Sequence, residues 1–296
     1  MGVKNMSYDY KDIRNFYFEN ELGKRIDCQK VNGGLFLYNV SGLGYEEDIE
    51  YVQVGNTFVP NKKTLKQNQI TGDLEFDDMS YDEYSDFIDF VLKSSDLKLI
   101  YIPKKTNRIE YYRDIDIVQI DKSEEDDYNI LTSPITIKCK SLWYTKNETI
   151  YTIEPQTGEI RWDFAWDSRF NDYASRISNY INNGHVEAPI LLEIDGFVVN
   201  PSIEVYIEGE LYQTVTFDTT IEKYEKLLYC SKEEDFYINK QKVDGSIVSL
   251  FEADVIKFEN DNVVRIPTNR STEIRLLAEN DILKAKITFL EYRKAV

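Results

Sequence analysis

The sequence predicts a mainly β protein, strands with a few helices, folded as two β domains. Three observations carry that expectation. First, 22 tyrosines and 15 phenylalanines in a chain that is 42% hydrophobic favour pleated structure and argue against disorder. Second, short runs of period-two alternation recur between polar turns along 296 residues, a length that accommodates two domains with a core each. Third, the stretch from Asn182 to Pro201 opens a β-sandwich abruptly. Asn183-Gly184 and Ala188-Pro189 close what precedes it, because glycine accepts positive φ and a residue before proline is pushed out of the helical region. Ile190, Leu192 and Ile194 then alternate with Leu191, Glu193 and Asp195, the pattern of a strand with one wet face. After Asp195-Gly196 and Asn200-Pro201 the alternation resumes through Ile203, Val205 and Ile207.

From the N-terminus, residues 1–12 are polar and unpatterned and read as a loose arm. Phe16-Tyr17-Phe18 reads as a strand, followed by turns at Gly23-Lys24 and Gly33-Gly34 and a short strand from Leu35 to Val40. Gly42-Leu43-Gly44 breaks that strand, and Tyr51, Val52, Val54, Phe58 and Val59 supply strand material around a Gly55-Asn56 turn. Residues 61–69, with Lys62, Lys63 and Lys66, read as an exposed basic loop. The clearest helix covers residues 80–94. Ser80 and Glu83 have capping-box spacing, Asp82 suits the positive end of the dipole, and Tyr81, Tyr84, Phe87, Ile88, Val91 and Leu92 form a stripe. Eight acidic residues and no basic one lie between Asp73 and Asp89, either a solvated face or a charged wall within an assembly. Strands follow at Leu97 to Ile102, Tyr111 to Ile120 and Ile135 to Leu142, with the acidic loop Glu124 to Asp127 between the last two.

Residues 1–145 therefore read as an N-terminal β-sandwich or barrel-like domain carrying one helix. Residues 146–184 read as a linker or insertion with a second helix at about 168–182, where Phe170, Tyr173, Ala174, Ile177 and Ile181 form a stripe ended by Gly184. Residues 185–296 read as a C-terminal β-sandwich. Its strands recur at Val215 to Phe217, Leu227 to Cys230, Phe236 to Ile238, Val255 to Phe258, Glu273 to Leu277 and Lys284 to Tyr292.

The net charge of −18 excludes a protein that grips the phosphate backbone, since such binding depends on Lys and Arg displacing counterions. It does not exclude one that DNA slides past. No apolar run approaches the roughly 20 residues of a membrane helix and no apolar signal core opens the chain, so a soluble product made inside the cell is expected, with no membrane partner. Cys28, Cys139 and Cys230 are far apart, with no CxxC, and read as buried free thiols, not metal ligands. The Glu124 to Asp127 cluster lacks the glycine and spacing of a calcium loop. His185 is the single histidine and has no visible nucleophile to serve, and phosphate-binding and hydrolase motifs are absent. No catalytic, cofactor-binding or metal residue is assigned. Trp162, Phe164 and Trp166 read as aromatic partner contacts. Asp163 and Asp167 beside those rings leave a glycosidase open as a third reading.

Taken in order, these motifs resemble the siphophage distal tail proteins. Gly72 to Phe76, the helix from Tyr81 to Leu92, Leu99 to Pro103, Tyr112 to Ile115, Pro134 to Ile137 and Ser141 to Tyr144 are similar to that family's N-terminal domain. Asn183-Gly184, Ala188-Pro189, Asp195-Gly196 and Asn200-Pro201 resemble the opening of its second, galectin-like β-sandwich, and Ala285 to Arg293 its last strand. Pro267 to Ser271 departs from the pattern by lacking a glycine before the penultimate strand.

The resemblance implies a structural protein without enzyme activity or cofactor. It implies a homo-oligomeric ring, a hexamer, at the virion tail tip or baseplate, made in the host cytoplasm. The partners implied are the tail tube protein, the tail-associated hub or fibre protein and a receptor-binding protein, with DNA passing through the lumen. The alternative from a different class is a carbohydrate-binding module that recognises the host cell wall, with Tyr206, Tyr212, Tyr229 and Tyr237 as sugar platforms.

Overall fold

The computed structural model describes residues 14–29, 34–77, 80–103, 109–152, 176–250, 256–259, 263–280, 282 and 284–296. The chain divides into two compact units, residues 1–145 with 293–296, and residues 146–292. Of the residues expected as a linker, 146–152 and 176–184 are described, and both stretches fall within the second unit, while the last four residues belong to the first.

In the first unit the strands are β1 (Asn15–Asn20), β2 (Arg25–Asp27), β3 (Leu35–Ser41), β4 (Glu47–Val54), β5 (Thr57–Leu65), β6 (Gln69–Phe76), β7 (Leu97–Ile102), β8 (Tyr111–Ile120) and β9 (Leu131–Cys139). Helix α1 (Ser80–Lys93) joins β6 to β7, and β10 (Trp143–Thr152) leads out of the unit. Antiparallel pairing runs β3-β6-β9-β8-β7-β1-β2, and a Gln29 to Phe36 bridge returns β2 to β3. The result is a rolled, nearly closed barrel with few open edges. Its core holds Phe16, Phe18, Leu74, Phe76, Leu99, Ile115, Ile137 and Trp143, with Phe87 and Phe90 contributed by α1. Trp143 is fully buried and donates its indole N–H to the Leu43 carbonyl at 3.0 Å. The Arg113 guanidinium lies 5.2 Å from the Trp143 ring centroid and donates from Nε to the Ser141 carbonyl at 2.9 Å. Burial pushes the Arg113 pKa down.

Two sequence expectations change here. Residues 61–65 are not loop but the end of β5, which pairs with β4 from Val54 opposite Thr57 to Glu47 opposite Leu65. Both faces of this hairpin are wet, so it shows no hydrophobic period, the signal on which strand assignment depends. The stripe of α1 is rotated as well. Phe87 and Phe90 are buried, Tyr84, Ile88 and Val91 are half-buried, and Tyr81 and Leu92 are exposed. The Ser80 hydroxyl donates to Glu125.

The second unit contains β11 (Arg176–Ile181), β12 (Ala188–Asp195), β13 (Val198–Val199), β14 (Ser202–Ile207), β15 (Glu210–Phe217), β16 (Thr220–Ile221), β17 (Lys226–Cys230), β18 (Tyr237–Gln241), β19 (Ile247–Ser249), β20 (Ile256–Glu259), β21 (Arg265–Ile266), β22 (Ser271–Leu277) and β23 (Lys284–Arg293). One layer runs β19-β18-β17-β12-β23 and the other β11-β22-β14-β15-β20. Ile190, Leu192, Ile194, Ile203, Val205, Val215, Phe217, Tyr229, Ile274, Leu276, Ile287 and Phe289 share one core between them, a β-sandwich as expected. The anticipated helix at about 168–182 is corrected where it is described. Residues 176–181 form β11, paired residue for residue with β22 from Arg176 opposite Leu276 to Ile181 opposite Ser271. Ile177 and Ile181 fit a helical stripe, but a free sheet edge next to them decides the outcome, and residues 168–175 lie outside the described set.

Single residues fix the corners. Asn182 is fully buried, accepts the Gly184 N–H at 2.8 Å and donates to the Val186 and Ile266 carbonyls at 2.9 and 3.0 Å. A Cβ at Gly196 would lie 2.1 Å from the Glu222 carbonyl oxygen, so no larger residue fits that turn. The turn before β22 that lacks a glycine uses Asn269 at φ 56, asparagine being the residue that next tolerates the left-handed region.

Candidate assembly interface

Among the described residues of the first unit, one element has no core beneath it. In the β4–β5 hairpin, Tyr51, Val52, Val54, Phe58 and Val59 expose 49–67% of their surface. The ten residues from Tyr51 to Pro60 include no charge. Among the described residues, β4 and β5 pair only with each other. The base is fastened. Lys66 meets Glu46 at 2.7 Å, its backbone N–H donates to the Glu46 carbonyl at 2.9 Å, and Lys294 from the chain end meets Glu47 at 2.5 Å and lies 5.7 Å from the Tyr45 ring centroid. These bonds hold the Glu47 carboxyl below its usual range and Lys66 above its own. A hairpin firm at its root and apolar at its tip is a surface waiting for a cover.

A second feature of the same unit is acidic. Between α1 and the β1–β2 turn lies an open groove of about 500 Å³ lined by Leu22, Phe87 and Phe90 with Glu21, Glu83, Asp86 and Asp89. The Glu21 carboxylate is bonded by its own backbone N–H and accepts those of Asp96 and Ser95 at 3.4 and 3.2 Å, which lowers its pKa. Asp89 is bridged to Lys93 at 2.5 Å. At the start of α1, Tyr81 donates to Glu124 at 2.7 Å, and the Asp126 carboxylate accepts the N–H groups of Tyr128 and Ile130 at 2.8 and 3.0 Å. The acidic loop is thus a helix-end and turn device. No group of side chains among the described residues has the makeup of a metal site.

The chemical candidates disperse. His185 donates its backbone N–H to the Tyr292 carbonyl at 2.7 Å in the loop before β12. All three cysteines are free and buried, and burial pushes the Cys139 thiol up and that of Cys230 up to about 11. Trp162, Phe164, Trp166, Asp163 and Asp167 lie outside the described residues. Of the four tyrosines suggested as sugar platforms, Tyr229 is core and Tyr237 half-buried, Tyr206 carries Arg275 4.0 Å from its ring centroid, and Tyr212 is open. One open ring does not make a platform row. The charged outer face of the second unit is internally paired, with Lys226 and Lys284 on Asp195 at 3.6 and 3.1 Å and Lys286 on Glu148 at 2.8 Å. Sequence reasoning missed the hairpin tip, whose uncharged run around Gly55-Asn56 was its one visible signal.

Residues 15–140 match the family described as distal tail protein, N-terminal domain. No curated protein matches the sequence. Among solved structures, the chain resembles a component of the phage P2 baseplate in its activated conformation with calcium, at 16% identity and a TM-score of 0.65, covering 96% of this chain and 100% of that one. It also resembles the SPP1 Dit (gp 19.1) protein, described as a paradigm of the hub adsorption apparatus in phages infecting Gram-positive hosts. There the identity is 10% and the TM-score 0.53, covering 93% of this chain and 98% of that one. At such identities the likeness is one of fold.

Proposed function

Through residues 15–140 the chain belongs to the distal tail, or baseplate hub, proteins of phages, and on that premise we propose that it forms a hexameric ring joining the tail tube to the tail fibre, baseplate and receptor-binding apparatus. The observation that carries the reading is the first unit itself: the family's barrel, nearly closed, with a long hairpin exposed on all sides. A closed ring is made of heterologous contacts, each subunit offering one surface and receiving another. The hairpin and the acidic groove are two different surfaces of one unit, which is what such a contact requires.

The second sandwich then faces the fibre and receptor-binding components. The protein acts in the virion tail tip after synthesis in the host cytoplasm, and its work is structural, without bond making or breaking. Trp162, Phe164 and Trp166 are proposed contacts with a neighbouring baseplate component. With a net charge of −18, the lumen is net negative, so that DNA phosphates coming within about 8 Å, the screening length at physiological salt, are repelled. Determining the structure of the assembled particle tests this. Six copies around an acidic channel are expected, and a channel ringed by Lys and Arg contradicts it.

A further inference from the structure

We propose that Asn183-Gly184 is a self-modification site: an asparagine that deamidates through its own backbone and is held inert by the buried amide of Asn182. The only other reactant is water.

The chemistry needs an asparagine followed by a residue whose amide nitrogen can reach the side chain. Glycine serves best, because it has no Cβ to crowd the ring and its backbone turns freely. Of the asparagines in the chain, only Asn32 and Asn183 precede glycine. In the reaction the Gly184 nitrogen gives its proton to solvent and bonds to Cγ of Asn183. The Cγ–Nδ2 bond then breaks, and the amide leaves as ammonia with a proton taken from solvent. A cyclic succinimide remains. Water opens it at either carbonyl, leaving aspartate or isoaspartate at residue 183.

The fold sets each of these atoms against reaction. Asn183 is exposed, so water has access, but its Nδ2 donates to the Ile181 carbonyl at 3.1 Å, which ties the side chain back to the end of β11. The Gly184 N–H donates to Oδ1 of Asn182 at 2.8 Å, so the nucleophile keeps its proton on a buried partner. Ring closure also requires the backbone between residues 183 and 184 to rotate. Gly184 is packed too closely for that. A Cβ there would lie 2.6 Å from the Tyr292 carbonyl oxygen, which also accepts the His185 N–H at 2.7 Å. Asn182 itself is fixed by the Val186 and Ile266 carbonyls. Reaction therefore waits on local opening of the corner, and its rate follows the open population. An isoaspartate carries an extra methylene in the main chain and a new charge, so a corner that has reacted does not close as before.

The test incubates the full chain in warm, mildly alkaline buffer and follows the amide-to-acid mass gain at residue 183 by peptide mapping. In urea that unfolds the chain, Asn32 and Asn183 should both convert. The folded parent should convert at Asn183 more than about tenfold more slowly, an opening cost of at least about 1.4 kcal/mol. Asn182→Ala should raise the folded-state rate by about tenfold. Should that variant fail to fold, the parent in urea below its transition gives the same reading: hydrogen exchange of the Gly184 amide and conversion of Asn183 should accelerate together. If folded and unfolded chains convert Asn183 at one rate, if folded Asn182→Ala converts no faster than the parent, or if faster exchange at Gly184 leaves conversion unchanged, the corner is not the restraint and the inference falls. An unfolded chain that never converts at Asn183 overturns it as well.

Discussion

Asn182 gives the sharpest stability prediction, because one buried amide holds three backbone groups from two parts of the chain. Its Nδ2 serves the Val186 and Ile266 carbonyls and its Oδ1 the Gly184 N–H, while its own carbonyl accepts the Asn269 N–H at 3.0 Å. Asn182→Ala removes the three side-chain bonds and leaves their partners in a site with no exposed surface at residue 182. Each buried group left unsatisfied costs about 1–3 kcal/mol. Water reaches the Val186 carbonyl more readily than the other two, so the sum is about 2–5 kcal/mol. For a domain of this size that lowers the unfolding temperature of the second unit by about 5–15 °C. Scanning calorimetry reads the shift. Hydrogen exchange should place it in β12 and β22 and leave the first unit's strands protected. Asn182→Asp keeps one acceptor but sets a carboxylate against two carbonyl oxygens, so it should cost at least as much as alanine. An alanine variant within about 0.5 kcal/mol of the parent refutes this account of the corner.

Gly196→Ala forces a Cβ to 2.1 Å from a backbone carbonyl, and should destabilise the second unit by more than about 2 kcal/mol in urea titration. Burial raises Cys230 from 9.0 to about 11 and Tyr237 from 10.0 to about 12, so the unfolded chain loses these protons first. Stability is then full below about pH 9 and falls as pH rises towards 12, and Tyr237→Phe should flatten the upper part of that decline in urea midpoints measured against pH. Lys294→Ala frees the base of the hairpin from Glu47. Global stability should change by less than about 0.5 kcal/mol, while amide exchange in β4 and β5 should speed up.

Much of the fold was legible in the residues. The alternation of Ile190, Leu192 and Ile194 identified β12 because one face is core and the other wet. Tyr111 to Ile120 and Leu97 to Ile102 were readable as short runs rich in β-branched and aromatic residues, and the three cysteines could be assigned to the interior. What failed has a shared cause. β5 has no dry face, so no period marks it, and β11 is a strand because β22 offers an edge, a fact of tertiary structure that the local stripe of Ile177 and Ile181 contradicts. The same holds for the turn before β22, where Asn269 does the work of the missing glycine. The interface was least legible. An acidic helix reads alike whether solvated or docked, and an uncharged hairpin tip becomes conspicuous only once its exposure is seen.

Native mass spectrometry of the purified chain across a concentration series shows whether six copies close into one particle. The account predicts a dominant species of six times 34.8 kDa, about 209 kDa, with no open-ended series beyond it. A lone 34.8 kDa species at every concentration, or a ladder that grows without closing, contradicts it.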